Sequence, residues 1–243
     1  MSSPKENIFV FVPNLIGYAR IFLALASFYY MKTDFKLAMV FYVTSGLMDA
    51  LDGYAARYYN QSTRFGAILD QLTDRVGTMC LNMVLGVFYA DYLFLFQLSN
   101  LIDIAGHWIH IWASLIKGKS SHKYIDPSEN KILRIYYSSR PVLFTMCAAN
   151  ELFYVSLYLV HFTEGPISKF YPIDSESNER LFSRTVANLN QGLFLLVAKI
   201  CFPLAILKHV ITLIQVIAAC INIAAIDVSE REAMRKSRGQ KEK

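Results

Sequence analysis

Four aspartates, Asp49, Asp52, Asp70 and Asp74, stand inside two long apolar runs, and no other feature restricts the fold of this chain as strongly. The runs themselves demand a membrane. Of the 243 residues, 54% are hydrophobic and only 18% charged, whereas soluble domains carry about a quarter charged residues. Such a surface cannot face water throughout. A spanning helix takes ~20 mostly apolar residues, and one carboxylate placed in it costs about 2.5–3.5 kcal/mol on insertion scales. Four in adjacent spans therefore share a purpose. The same composition excludes a disordered chain, a nucleic-acid-binding tail protein and a small disulfide scaffold, so membrane lipids are expected as partners and nucleic acid is not.

The pattern predicts an all-α, polytopic membrane helical bundle of about six transmembrane helices in a single domain, 1–243. A short interfacial segment around Phe9, Val10 and Phe11 precedes Pro13, which opens the first helix. The N-terminus lacks the pattern of a cleaved signal peptide. The spans fall near 14–31, 37–59, 65–90, 92–116, 141–162 and 192–225. Pro203 and Lys208 interrupt the last, which is longer than one crossing requires; one long kinked helix accounts for it, and two short helices are the alternative. Charge placement supports six. The 117–140 loop has six Lys/Arg against two acids, and the tail 226–243 has another six. With a cytoplasmic N-terminus both fall inside, as the positive-inside rule expects. The 163–191 loop, with three Lys/Arg and four acids, falls outside. Cys80, Cys147, Cys201 and Cys220 are scattered singly through apolar runs and read as small buried hydrophobes.

Spacing says what the aspartates do. Asp49 and Asp52 are three residues apart, about 60° around a helix; Asp70 and Asp74 are four apart, about 40°. Each pair occupies one helix face. The polar break at 60–64 lets the two helices run antiparallel, so the faces can meet around a common point. Four converging carboxylates require a cation, and oxygen-only ligation suits Mg²⁺ or Mn²⁺. Two ions are expected, since such a pair clamps phosphate oxygens during in-line displacement. Gly53 leaves only backbone beside Asp52, and Gly66 lies one turn before Asp70, where a side chain would block close approach. Arg57 can grip a diphosphate bidentately. Thr63 can donate a hydroxyl or cap the third helix. Arg20, in the first span, is read as the partner of an intramembrane acid or a lipid phosphate rather than as a catalytic group.

The run from Asp49 through Asp52, Gly53, Ala56 and Arg57, then eight residues to Gly66, and Asp70 and Asp74 at further steps of four, matches the CDP-alcohol phosphatidyltransferase signature at every defined position. The stretches NIFVFVPNLIGYAR (7–20), NQSTRFGAILDQLTD (60–74), LRIYYSSRP (133–141) and NELFY (150–154) resemble the eukaryotic phosphatidylinositol synthase branch of that family. Residues 168–190 are unmatched and read as a luminal-loop expansion. The resemblance implies that myo-inositol displaces CMP from CDP-diacylglycerol to give phosphatidylinositol. It also implies that Asp49, Asp52, Asp70 and Asp74 bind metal, that Asp74 is the base for the attacking alcohol, and that Gly53, Arg57 and Thr63 hold the CDP group. A homodimer in the endoplasmic reticulum membrane, with the active site facing the cytoplasm, is implied as well.

Selection of the acceptor is less legible. Lys123, Arg134, Arg140, His107 and His110 are candidates to touch inositol; the alternative makes the cations topology charges and the histidines helix–helix partners. Glycerol phosphate or serine remains an alternative acceptor. A divalent-metal transporter is the alternative of a different class, and it would need neither Gly53 nor Arg57.

Overall fold

The computed structural model describes residues 6–117, 136, 139–163 and 192–241. Six long helices carry them: α1 (Val12–Tyr30), α2 (Phe35–Tyr58), α3 (Arg64–Phe88), α4 (Leu93–Lys117), α5 (Arg140–Phe162) and α6 (Leu193–Lys241). Their number and positions agree with the six expected spans, and the chain is an all-α membrane bundle. By length and composition alone, α1, the Pro141–Phe162 part of α5 and the Leu193–Arg238 part of α6 are apolar enough to cross a membrane. The other three fall short because they hold the polar groups: the aspartates and arginines of α2 and α3, and Asp103, His107 and His110 of α4.

The ends of these helices follow from local chemistry. Asn7 accepts a hydrogen bond from Phe9 N and starts a single turn over Ile8–Val10, the segment expected at the interface, whose side chains are exposed. Pro13 occupies the first turn of α1, where its missing N–H costs nothing. Asp34 caps α2 by accepting from Lys36 N and Leu37 N. The last apolar stretch is one helix that continues through Pro203 and on through the charged tail. At 1.5 Å per residue it far exceeds the ~30 Å hydrocarbon core, and its exposed charges from Asp227 onward place that end outside the core.

Compact packing divides the chain into two units, Met1–Phe96 with Tyr154–Phe194 and Gln97–Phe153 with Leu195–Lys243. In the first, α1 packs on both α2 and α3. Its buried face is Asn14, Gly17, Arg20, Ala24 and Ser27, all small or polar, whereas Phe22, Leu25 and Tyr29 are exposed. Lipid is as apolar as leucine, so helices here gain from close approach and hydrogen bonds. Gly17 permits that approach: a Cβ there would stand 2.9 Å from Leu69 Cδ2 on α3. Ser27 donates to Ala38 O at 2.9 Å and Ser45 to Arg20 O at 3.0 Å. Tyr158 donates to Met31 O at 2.7 Å, closing the C-terminal end of α1.

In the second unit, the buried Lys208 lies 3.3 Å from the buried Asp103, so the lysine that interrupts the last apolar run is neutralised inside the protein. The cysteines are free, as expected, but only Cys201 is buried; Cys220 is exposed. That exposure corrects the uniform burial expected of them: on a helix whose outer face meets lipid, an apolar run has no obligatory inside. The 168–190 expansion, Lys123 and Arg134 lie outside the described residues, as does the side chain of Arg140.

Candidate active site

The turn between α2 and α3 sets the geometry. Asn60 adopts a left-handed conformation, φ 54°, which few residues other than glycine and asparagine adopt readily. Gln61 N then donates to Ala56 O at 2.9 Å and Asn60 N to Arg57 O at 3.4 Å, the paired bonds that close a helix end. Two residues later, Thr63 Oγ1 accepts from Gly66 N at 3.0 Å and begins α3. Thr63 thus takes the capping role among the two open to it, and its hydroxyl proton stays available. Gln61 Oε1 accepts from Val12 N at 2.9 Å, tying the turn to the start of α1. A stop, a reversal and a start within five residues bring the aspartate faces of α2 and α3 together.

Those faces converge on Arg20. Its Nη1 lies 2.9 Å from Asp49, 2.5 Å from Asp52 and 2.8 Å from Asp70, and its Nη2 lies 2.6 Å from Asp74. The guanidinium side chain is only 2% exposed, and it bonds to intramembrane acids, one of the two partners the sequence left open. One oxygen from each of Asp49, Asp70 and Asp74 falls within 4.8 Å of the others. Four carboxylates thus face one guanidinium, and all of them are hard oxygen donors. That donor set fits divalent cations of the Mg²⁺ and Mn²⁺ type. An aspartate cluster that could hold a metal ion is therefore present, assembled from two helices and held by a third.

Beside the cluster opens a cleft of about 170 Å³, bounded in part by Asn14, Gly53, Gln61, Thr63, Gly66 and Asp70. Asp52 also faces it, so the carboxylates and the cleft form one site. Arg57 is exposed; its Nη1 would stand 3.6 Å from a Cβ on Gly53, which puts the guanidinium over that glycine. This distance is ordinary contact, so Gly53 is less constrained than its place in the signature suggests. Gly66 is the constrained one: a Cβ there would meet Asn14 Oδ1 at 2.8 Å.

Every aspartate singled out in the sequence, with Gly53, Thr63 and Gly66, lies at this site. His107 and His110 belong to the second unit, where the His107 ring bonds to Asp103 O at 2.7 Å. Asn14 and Gln61 line the cleft although neither drew attention in the sequence. The available signal was polarity: Asn14, Gly17 and Arg20 recur every three residues along one stripe of an otherwise apolar helix.

A family model described as CDP-alcohol phosphatidyltransferase matches residues 10–161, which contain the cleft and all four aspartates. The chain belongs to that family. Within it, the chain is similar to the CDP-diacylglycerol–inositol 3-phosphatidyltransferase of Mus musculus, 50% identical over 94% of this chain and 98% of the relative. The proteins of the same name from Drosophila melanogaster, 48% identical over 95% and 92% of the two chains, and Schizosaccharomyces pombe, 40% identical over 95% of each, are similar along their whole length too. No solved structure matches the chain.

Proposed function

We propose that this protein is a phosphatidylinositol-forming enzyme, transferring the phosphatidyl group of CDP-diacylglycerol to myo-inositol with release of CMP. The observation that carries the reading is the cluster of four carboxylates beside a cleft that Asp52, Asp70 and Thr63 line, with Arg57 over Gly53 at its edge. The whole-length similarity to the inositol 3-phosphatidyltransferases supports the choice of donor and acceptor.

The family resemblance supplies the roles. Asp49, Asp52, Asp70 and Asp74 would hold Mg²⁺ or Mn²⁺, two ions in this reading, which when bound supply neutralisation of the diphosphate oxygens. Gly53 leaves room for the CDP group, Arg57 grips the diphosphate, and the Thr63 hydroxyl donates to it. Asp74 accepts the proton of the inositol hydroxyl as its oxygen forms a bond to the phosphorus that carries diacylglycerol. The bond from that phosphorus to the bridging oxygen breaks, and the electron pair leaves with CMP. Arg20 holds the carboxylates in register. Lipid tails stay in the bilayer while the nucleotide and inositol enter from water.

The chain acts as one catalytic unit over 1–243, with the signature at 49–74 and the tail 226–243 in the cytoplasm. The basic 117–140 loop and that tail support a cytoplasm-facing site by the positive-inside rule. The endoplasmic reticulum membrane and a homodimer complete the proposal, on the family resemblance.

The test supplies purified protein with CDP-diacylglycerol, Mg²⁺ or Mn²⁺, and labelled inositol, glycerol phosphate or serine in turn, followed by lipid analysis. Phosphatidylinositol should form, and excess chelator should abolish it. A product from another alcohol alone would reassign the acceptor. No lipid product, with Mn²⁺ uptake into proteoliposomes, would favour the transporter.

A further inference from the structure

Arg20 is held in surroundings that suit a point charge better than a guanidinium. A guanidinium spreads five N–H groups over a planar fork, two on each terminal nitrogen and one on Nε, and it pairs best with carboxylates through two parallel bonds. Here one nitrogen, Nη1, stands within 2.5–2.9 Å of three carboxylates, those of Asp49 and Asp52 on α2 and Asp70 on α3. Nη2 donates to Asp74 at 2.6 Å, while Nε is buried and has no hydrogen-bond partner. Three carboxylates crowd a nitrogen with two N–H groups, and a donor on the same side chain goes unused, which is destabilising. Oxygens gathered around one centre from separate helices are the ligand pattern of a hard cation, which takes them at about 2.0–2.6 Å.

We infer that Arg20 is a tethered counter-cation that a divalent ion displaces: the guanidinium and the ion compete for the same carboxylates, and the arginine side chain withdraws as the ion enters. The inference rests on the proposed Mg²⁺ or Mn²⁺ site. Access favours the exchange, because the arginine side chain is 2% exposed whereas those of Asp49, Asp70 and Asp74 are 41–45% exposed. Water and small ions therefore reach the oxygens while the guanidinium is sealed behind them. One oxygen from each of these three aspartates lies within 4.8 Å of the others, a span that one ion can draw together. Only the side chain has to move, since Ser45 Oγ donates to Arg20 O at 3.0 Å and fixes the backbone. The arrangement neutralises four acids while the helices assemble in lipid, where bare carboxylates are costly. It also holds the affinity for the ion below that of the carboxylates alone, so that loading follows the free ion concentration.

The test titrates the full chain in detergent with Mn²⁺ and reads the free ion by electron paramagnetic resonance. Arg20→Met should bind Mn²⁺ on the order of 10–100-fold more tightly than wild type, the effect of removing a close, partly screened positive charge. Arg20→Lys keeps that charge and should stay within about threefold of wild type, the size of an exposed ion pair. The titration returns stoichiometry apart from affinity, so an incompletely folded preparation lowers the first and leaves the second. A further measurement needs no variant: Mn²⁺ should raise the reaction of Arg20 with phenylglyoxal in wild type, read by peptide mass against the exposed Arg57. An arginine that only braces the carboxylates predicts otherwise. Mn²⁺ binding by Arg20→Met no tighter than by wild type, or an Arg20 that stays protected in the loaded protein, would overturn the inference. An equal gain in Arg20→Lys would overturn it also, because charge would not be the cause. If both wild type and Arg20→Met bind Mn²⁺ alike, the metal reading stands and the displacement alone falls; if neither binds it, the metal reading of the aspartates fails as well.

Discussion

Replacing Arg20 by methionine removes the guanidinium on which four carboxylates converge at 2.5–2.9 Å. Unit charges 4 Å apart interact by about 4 kcal/mol at an effective dielectric of 20. Breaking a buried ion network from one side typically costs ~3–5 kcal/mol. Three of the four carboxylate side chains are 41–45% exposed, so water screens them, and the lower end, about 3 kcal/mol, is the better expectation. For a chain of this size each kcal/mol shifts the melting temperature by ~2–4 °C, which gives a fall of roughly 6–12 °C in chelator. Divalent cations should then do more for the variant than for wild type. The guanidinium no longer repels them, and a ligand stabilises in proportion to its affinity for the folded state. Thermal melting in detergent, with chelator and then with Mn²⁺, reads both effects. Arg20→Lys should fall between, because an ammonium keeps the charge without the fork that spans separate carboxylates. Melting of Arg20→Met within about 2 °C of wild type in chelator, less than 1 kcal/mol on that scale, would refute the reasoning. So would a Mn²⁺ stabilisation no larger than that of wild type.

Asp74→Asn should abolish transfer while CDP-diacylglycerol binding largely persists, since loss of a general base costs ~10²–10⁴-fold in rate; retention of more than about a tenth of the rate would remove Asp74 from that role. Asp52→Asn should weaken binding as well, because Asp52 faces the cleft; the affinity for CDP-diacylglycerol measured beside turnover separates the two variants. Gly66→Ala should raise KM for CDP-diacylglycerol, because the added Cβ would stand 2.8 Å from Asn14 Oδ1 at the wall of the cleft and force that wall to shift; an unchanged KM would mean that Asn14 has room to move. Ser62→Cys, exposed on the turn beside the cleft, should be labelled by a membrane-impermeant reagent from the cytoplasmic face of sealed vesicles; labelling only after permeabilisation would reverse the topology.

The sequence alone sufficed for the helices, the membrane and the carboxylate cluster. Hydropathy and charge are carried by consecutive residues, and a helix converts a spacing of three or four into a shared face without reference to the rest of the fold. That is why Asp49, Asp52, Asp70 and Asp74 could be grouped before any coordinates, and why 60–64 could be read as a break. What only the tertiary structure decided is which groups from a third helix complete the site. Arg20 left two partners open in the sequence, and Asn14 left no mark beyond its polarity. Their spacing to the aspartates is a matter of how α1 packs on α2 and α3, which rests on Gly17 against Leu69 and on the bond from Gln61 to Val12 N. Long-range contacts of that kind depend on shape at atomic distance. No local period records them, and so the cation between the carboxylates and the unpaired oxygen behind Gly66 appear only when the three helices are brought together.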